Sequence, residues 1–173
     1  MSLGPWHVLH VIANHEKKVA QHLAARSLEH YLPLYCERSQ RTDRPIILEL
    51  PLFRGYVFVR FSPQNRLSVI STPGVLRLLG DGRNNTINHE EIERIRDGLA
   101  NGYLLRPHPQ VTVGTPVRVR GGIFDGVVGV VTALRHRCKV VIALAAIKQC
   151  FSLEIDCSEV EILINGTTDS EIE

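Results

Sequence analysis

Four cysteines are scattered along the 173-residue chain, at Cys36, Cys138, Cys150 and Cys157, and no two form a C-x-x-C pair. That spacing argues against zinc, whose structural sites draw their ligands in close pairs. Small buried hydrophobes in a reducing compartment are the ordinary reading of such residues. No apolar run approaches the roughly 18 residues from which a membrane-spanning helix is read. The opening "MSLGPWHVLHVIANHEKK" lacks the basic region and small-residue cleavage site of a signal peptide, so a cytoplasmic location and no membrane partner are expected. Neither H-E-x-x-H nor G-x-S-x-G occurs, and the eight histidines are dispersed. No compact catalytic motif is therefore present, and no enzyme, cofactor or metal is expected. A Gly-Lys-Ser or Gly-Lys-Thr triplet is also missing, which excludes a phosphate-binding P-loop.

Charge is nearly balanced, at +2, but it is uneven. Residues 1–106 hold 14 Lys and Arg against 10 Asp and Glu, while residues 107–173 hold 6 against 8. The front permits a nucleic-acid contact; the net-negative back does not favour one.

Some local motifs have plainer explanations than chemistry. "GGIFDGVVGVV" (121–131) is followed by β-branched residues. That means a strand, whereas a dinucleotide site needs a helix N-terminus after its glycine turn. Its glycines serve a tight turn and a bend. The acids of "NHEEIE" (88–93) read as helix-start charges. Arg38, Arg41 and Arg44 crowd one polar loop, where they serve solubility or reach a nucleic-acid backbone. Lys17, Lys18, His22 and Arg26 form a stripe that could track phosphates, although a solvated helix face is the usual explanation of such a pattern.

The periodicity divides the chain in two. "WHVLHVI" (6–12) predicts a buried first strand. Asn14 is placed to cap the next helix, with Glu16 in its first turn, and Val19 and Leu23 supply an apolar stripe through about Ser27. Short strands are expected in "YLPLYC", "PIILEL" and "GYVFVRF". Ser62 and Pro63 open a helix that stops before Pro73. "VLRLL" (75–79) predicts a strand, and Asn88 with Glu91 a capping box before a helix lined by Ile92, Ile95 and Leu99. The order β-α-β-β-α-β-α predicts an α+β fold: a ferredoxin-like split βαβ sheet over residues 1–103. Residues 104–112, with two prolines, read as a linker. Five short strands then predict a small SH3-like β-barrel over 113–164, and 165–173 a disordered tail.

One strand raises a question of its own. In "GYVFVRF" (55–61), Tyr56, Phe58 and Arg60 point one way and Val57, Val59 and Phe61 the other. Both faces are apolar, yet a split βαβ sheet covers one face with helices. Tyr56 and Phe58, beside Trp6, are therefore expected to be partly exposed and to serve a partner.

These residues, in this order, resemble the NusG family of transcription elongation factors. The matches are Trp6, "PLFRGYVFV" (51–59), "STPGVLRLLG" (71–80) and the KOW-like "VRVRGGIFDGVVGVV" (117–131). The resemblance covers nearly the whole chain. It implies an NGN domain whose face of Trp6, Phe53, Tyr56 and Phe58 docks on the clamp helices of bacterial RNA polymerase. It implies that Lys17, Lys18, His22, Arg26 and Thr72 face the non-template DNA of the transcription bubble. It implies further that a KOW domain, with Phe124, Ile147 and Lys148, meets a small-subunit ribosomal protein or Rho. A monomer that modulates pausing and termination is the expected agent, with no chemistry of its own.

Two departures stand out. Arg54 replaces the usual Pro of "FPGY", and Ile147 before Lys148 stands where the general factor commonly has Phe before Gly. They favour an operon-specialised antiterminator of the RfaH or UpxY kind. The alternatives are the housekeeping factor that couples polymerase to ribosome or Rho, and a KOW-type RNA-binding or ribosome-associated module. "VVIALAAIKQC" (140–150) mixes strand and helix formers, which leaves a switch of this domain from barrel to helices as a further expectation.

Overall fold

The computed structural model describes residues 4–39, 44–80, 86–108, 114–134 and 137–163. Arg41 of the arginine loop, part of the expected linker and the expected tail lie outside the described residues.

The front half is built on a four-stranded antiparallel sheet. Its strands are β1 (His7–Val11), β2 (Glu29–Tyr31), β5 (Tyr56–Arg60) and β6 (Val75–Leu79), in the order β2-β5-β1-β6. Between β2 and β5, β3 (Leu34–Arg38) and β4 (Ile47–Pro51) form a separate two-stranded ribbon. Three helices accompany the sheet: α1 (Glu16–Ala25), the single-turn α2 (Arg66–Ile70) and α3 (His89–Ala100).

Alternation along the strands sorts the core into two layers. Leu9, Val11, Val57 and Val59 point to one face and bury against Val19 and Leu23 of α1 and Val69 of α2. Val8 and Phe58 point to the other, and join Trp6, Phe53, Ile92 and Ile95. The capping box holds at the start of α3: Glu91 accepts from the Asn88 N–H, and the Asn88 side chain accepts in return. Asn14 does not cap α1. His15 holds that position, and the Asn14 side-chain oxygen accepts from Arg54 instead. Glu16 is not a solvated dipole partner either. It is buried, and its Oε1 accepts the Gly55 N–H at 2.8 Å.

The back half forms a six-stranded sheet ordered β12-β8-β9-β10-β11-β7. Its strands are β7 (Leu104–His108), β8 (Thr115–Val119), β9 (Val128–Leu134), β10 (Cys138–Leu144), β11 (Gln149–Ile155) and β12 (Val160–Ile162). The five short strands expected from the pattern are present. The sixth is a correction, because β7 falls in the stretch read as linker. Its five residues pair with β11 from Leu104↔Glu154 to His108↔Cys150. Pro107 does not forbid this, since β7 lies at the edge of the sheet and proline is tolerated there. Leu105 is fully buried and anchors the strand. The 140–150 segment is strand through Leu144, then a turn, then strand again from Gln149.

Candidate functional site

The second face of β5 does not look into solvent. Phe58 and Trp6 are fully buried and Phe53 is 1% exposed. This corrects the expectation of an open aromatic patch: α3 covers Trp6 through His89 and Arg96, and the back half of the chain covers Phe53. Phe151 of β11 meets Phe53 edge-on, with ring centroids 5.9 Å apart, and Phe53 meets Phe58 in the same way at 5.8 Å. One continuous core therefore runs from Trp6 and Phe58 through Phe53 into Phe151, Ile142 and Leu144 of the second sheet. Each buried aromatic contributes about 1.5–3 kcal/mol relative to exposure. Edge-to-face pairs add roughly 0.5–1.5 kcal/mol more.

The four aromatic residues expected to act together lie on one face, but in unequal positions. Phe53 and Phe58 form its centre. Tyr56 is half-buried at its margin, against His10 at 5.4 Å. Trp6 sits beyond Phe58, with Arg60 and Arg96 each 5.9 Å from its ring centre. Its indole N–H donates to His89 Nδ1 at 3.2 Å. Arg96 also lies 4.7 Å over Tyr31, and donates to Glu93 at 2.6 Å. Burial pushes the Tyr31 phenol up to about 12.

Helix α3 forms a second seam with the back half. Phe124, expected to meet an outside partner, is buried and packs on Tyr103 at 5.4 Å. Its ring occupies the space a side chain at position 98 would fill: a Cβ on Gly98 would lie 2.6 Å from Phe124 Cζ. That explains a glycine inside a helix, where it costs about 1 kcal/mol against Ala. Ile147 is buried as well, whereas Lys148 is exposed and adopts φ 52°. The anticipated group of Phe124, Ile147 and Lys148 thus has one accessible member.

The basic stripe divides in the same manner. Lys17 and Lys18 are exposed, with Lys17 3.8 Å from Glu49. His22 Nδ1 lies 3.4 Å from the Pro73 carbonyl. Arg26 is tied down, donating to the Ser68 carbonyl and to Thr72 Oγ1 at 3.2 Å. Thr72 is buried and itself donates to the Ser68 carbonyl at 3.0 Å. Arg26 and Thr72 therefore join α1 to the turn after α2.

Phe151, Gly98, Arg96 and His89 were not singled out from the sequence. Nothing in the local sequence names the partner of Phe151, whose strand is seen to be covered only in the fold. Cys150 to Leu153 are all buried, and an uninterrupted buried run marks a strand covered on both faces. Among the described residues, no group of three or more His, Cys, Asp or Glu is arranged to hold a metal. No helix among them is long and apolar enough to cross a membrane.

Residues 4–96 match the family model described as "Transcription termination factor nusG". The chain belongs to the NusG family. Members of the family are transcription factors that work with RNA polymerase, and they are not enzymes. Among solved structures, the chain is similar to one described as "Domain interaction in Thermotoga maritima NusG". Identity is 22% and the TM-score 0.59, over 91% of this chain and 96% of that one, which is a likeness of fold. Two conformations of an MjSpt4:Spt5 complex align at 17% identity over 91% of this chain. They cover 97% and 96% of those chains, with TM-scores of 0.32 and 0.31. No curated protein matches.

Proposed function

We propose that this chain is an elongation factor that docks on the clamp helices of bacterial RNA polymerase through the face of Phe53, Tyr56 and Phe58. The observation that carries this reading is the cover on that face. Phe53, at the edge of that face, is covered by Phe151 of a separate sheet of the same chain, and α3, which covers the rest, is itself seated on Phe124 of that half. Such a cover is a stand-in for a partner, and docking then requires exchange of one apolar cover for another. Binding favours the open member of a two-state pair.

In this reading residues 1–103 are the NGN domain, a ferredoxin-like split βαβ unit, and residues 113–164 are the SH3-like KOW barrel. Operon-specialised antitermination fits best, because a covered docking face keeps the factor off most polymerases. Lys17, Lys18 and His22, on the accessible side of α1, would meet non-template DNA in the cytoplasm. Arg26 and Thr72 would hold that surface in shape. A ribosomal protein or Rho would meet the barrel only after it leaves the front half, since Phe124 and Ile147 are buried while it stays.

The test is binding of the full chain to purified bacterial RNA polymerase. Tyr56→Ala should weaken it, and Phe124→Ala, which loosens the cover, should strengthen it. Absence of binding by wild type and Phe124→Ala alike, at low and moderate salt, would overturn the reading.

A further inference from the structure

We propose that Cys138 and Cys157 form a reversible disulfide when the protein meets a hydroperoxide, tying the start of β10 to the turn before β12. The two thiols line one pocket of about 130 Å³, together with Thr115, Val117, Val131, Val160 and Ile162. The strand ladder accounts for their approach. Cys138 pairs with Ile155, so a residue two places beyond Ile155 is its diagonal neighbour on the same face. The chain does not run on straight there. Asp156 caps a short turn, accepting from the Ser158 N–H at 2.9 Å, and this turn holds Cys157 against the pocket. The two thiols interact side chain to side chain, and a disulfide between them asks for Cα atoms within about 7 Å.

Accessibility differs between the partners in a useful way. Cys157 is half-exposed and Cys138 is buried. Burial pushes the Cys138 thiol up to about 11, with the neighbouring Cys157 as a further cause. Cys157 is therefore the attacking sulfur and Cys138 the resolving one. The Cys157 thiolate attacks one peroxide oxygen, the O–O bond breaks, and the departing hydroxide leaves as water. Cys157 becomes a sulfenic acid. The Cys138 sulfur then attacks the Cys157 sulfur, the S–O bond breaks, and the second oxygen leaves as water with the Cys138 proton. Two thiols are oxidised to one disulfide and one hydroperoxide is reduced, hydrogen peroxide giving two waters.

The other cysteines do not compete. Cys150 pairs with Ala143 and His108, five positions along β11 from Ile155, and Cys36 lies on the β3–β4 ribbon. The bond encloses the β10–β11 hairpin, which carries Phe151. Oxidation thus fastens the barrel segment that covers the front sheet, independently of what that sheet binds.

The reduced full chain is exposed to equimolar hydrogen peroxide, its remaining thiols are alkylated, and its peptides are weighed. The expected product joins Cys138 to Cys157, two hydrogens lighter, with Cys36 and Cys150 alkylated. A dithiol reductant reverses it. The oxidised chain melts higher than the reduced chain, and Cys157→Ser, at the half-exposed position, abolishes the difference. A Cys36-linked dimer as main product, Cys157 recovered as sulfinic acid or fully alkylated, or a bond that forms only in denaturant would each overturn the proposal.

Discussion

Phe53 and Phe151 lie 98 positions apart in the chain and meet ring edge to ring face, with planes at 79°. The contact joins the front sheet to the back sheet, so its removal should be felt by both. Phe151→Ala is expected to lower stability by about 3–5 kcal/mol. Urea unfolding followed by Trp6 fluorescence and by far-ultraviolet circular dichroism should shift together. A shift confined to one probe would mean two separate cores.

Gly98 is the seat of the Phe124 ring. Gly98→Val should destabilise by about 1–3 kcal/mol through overpacking. Gly98→Ala gains helix propensity of about 1 kcal/mol, but its Cβ meets the same buried ring, which offsets that gain. Thermal melts of the two variants should therefore rank valine well below alanine. Equal melting temperatures would show that the ring moves aside freely.

Glu16 accepts from the backbone of Gly55, a residue held at φ +83°. Glu16→Ala orphans that N–H at a cost of about 1–3 kcal/mol, whereas Glu16→Gln keeps an acceptor and should lose less. Denaturant midpoints of the two variants separate the cases. Identical losses would place the effect in packing.

The His7 imidazole is held below its ordinary value by burial and then by Arg66. The folded state therefore takes up its proton at lower pH than the unfolded chain does. This contribution to stability is present above the unfolded value near 6.5 and is lost as pH falls below it toward the folded one. Unfolding free energy measured across that window should fall with acidification. His7→Phe should flatten the slope.

Arg26 and the exposed Lys17 and Lys18 should separate structure from binding. Arg26→Ala loses its links to Ser68 and Thr72 and should lower the melting temperature. Lys17→Ala/Lys18→Ala should leave melting unchanged and weaken single-stranded DNA binding. The salt slope should shrink by about 0.7 for each phosphate that a lysine no longer neutralises.

Much of the architecture was legible because the period changes cleanly along the chain. The Asn88–Glu91 box, the two apolar faces of β5 and five of the six back-sheet strands follow from local pattern. What was not legible depends on partners far away in sequence. The aromatic face looked open because nothing local says that α3 covers Trp6 and that Phe151 covers Phe53. Residues 104–108 looked like linker because Pro107 argues against an internal strand, while an edge strand accepts it. The link between Arg26 and Thr72 was not legible either, since only the folded turn brings them together.

Strand β7 also sets how far the cover can travel. While β7 stays in the ladder with β11, only Asn101, Gly102 and Tyr103 join α3 to the back sheet. Three residues reach at most roughly 10 Å, so this leash holds the back sheet close to the end of α3. Peeling β7 away lengthens the leash to residues 101–114, a reach of roughly 50 Å. A tethered cover competes at an effective concentration of about millimolar for short links. Any rival for the aromatic face therefore contends with a partner that is never dilute, and five backbone pairings decide how tightly that partner is leashed.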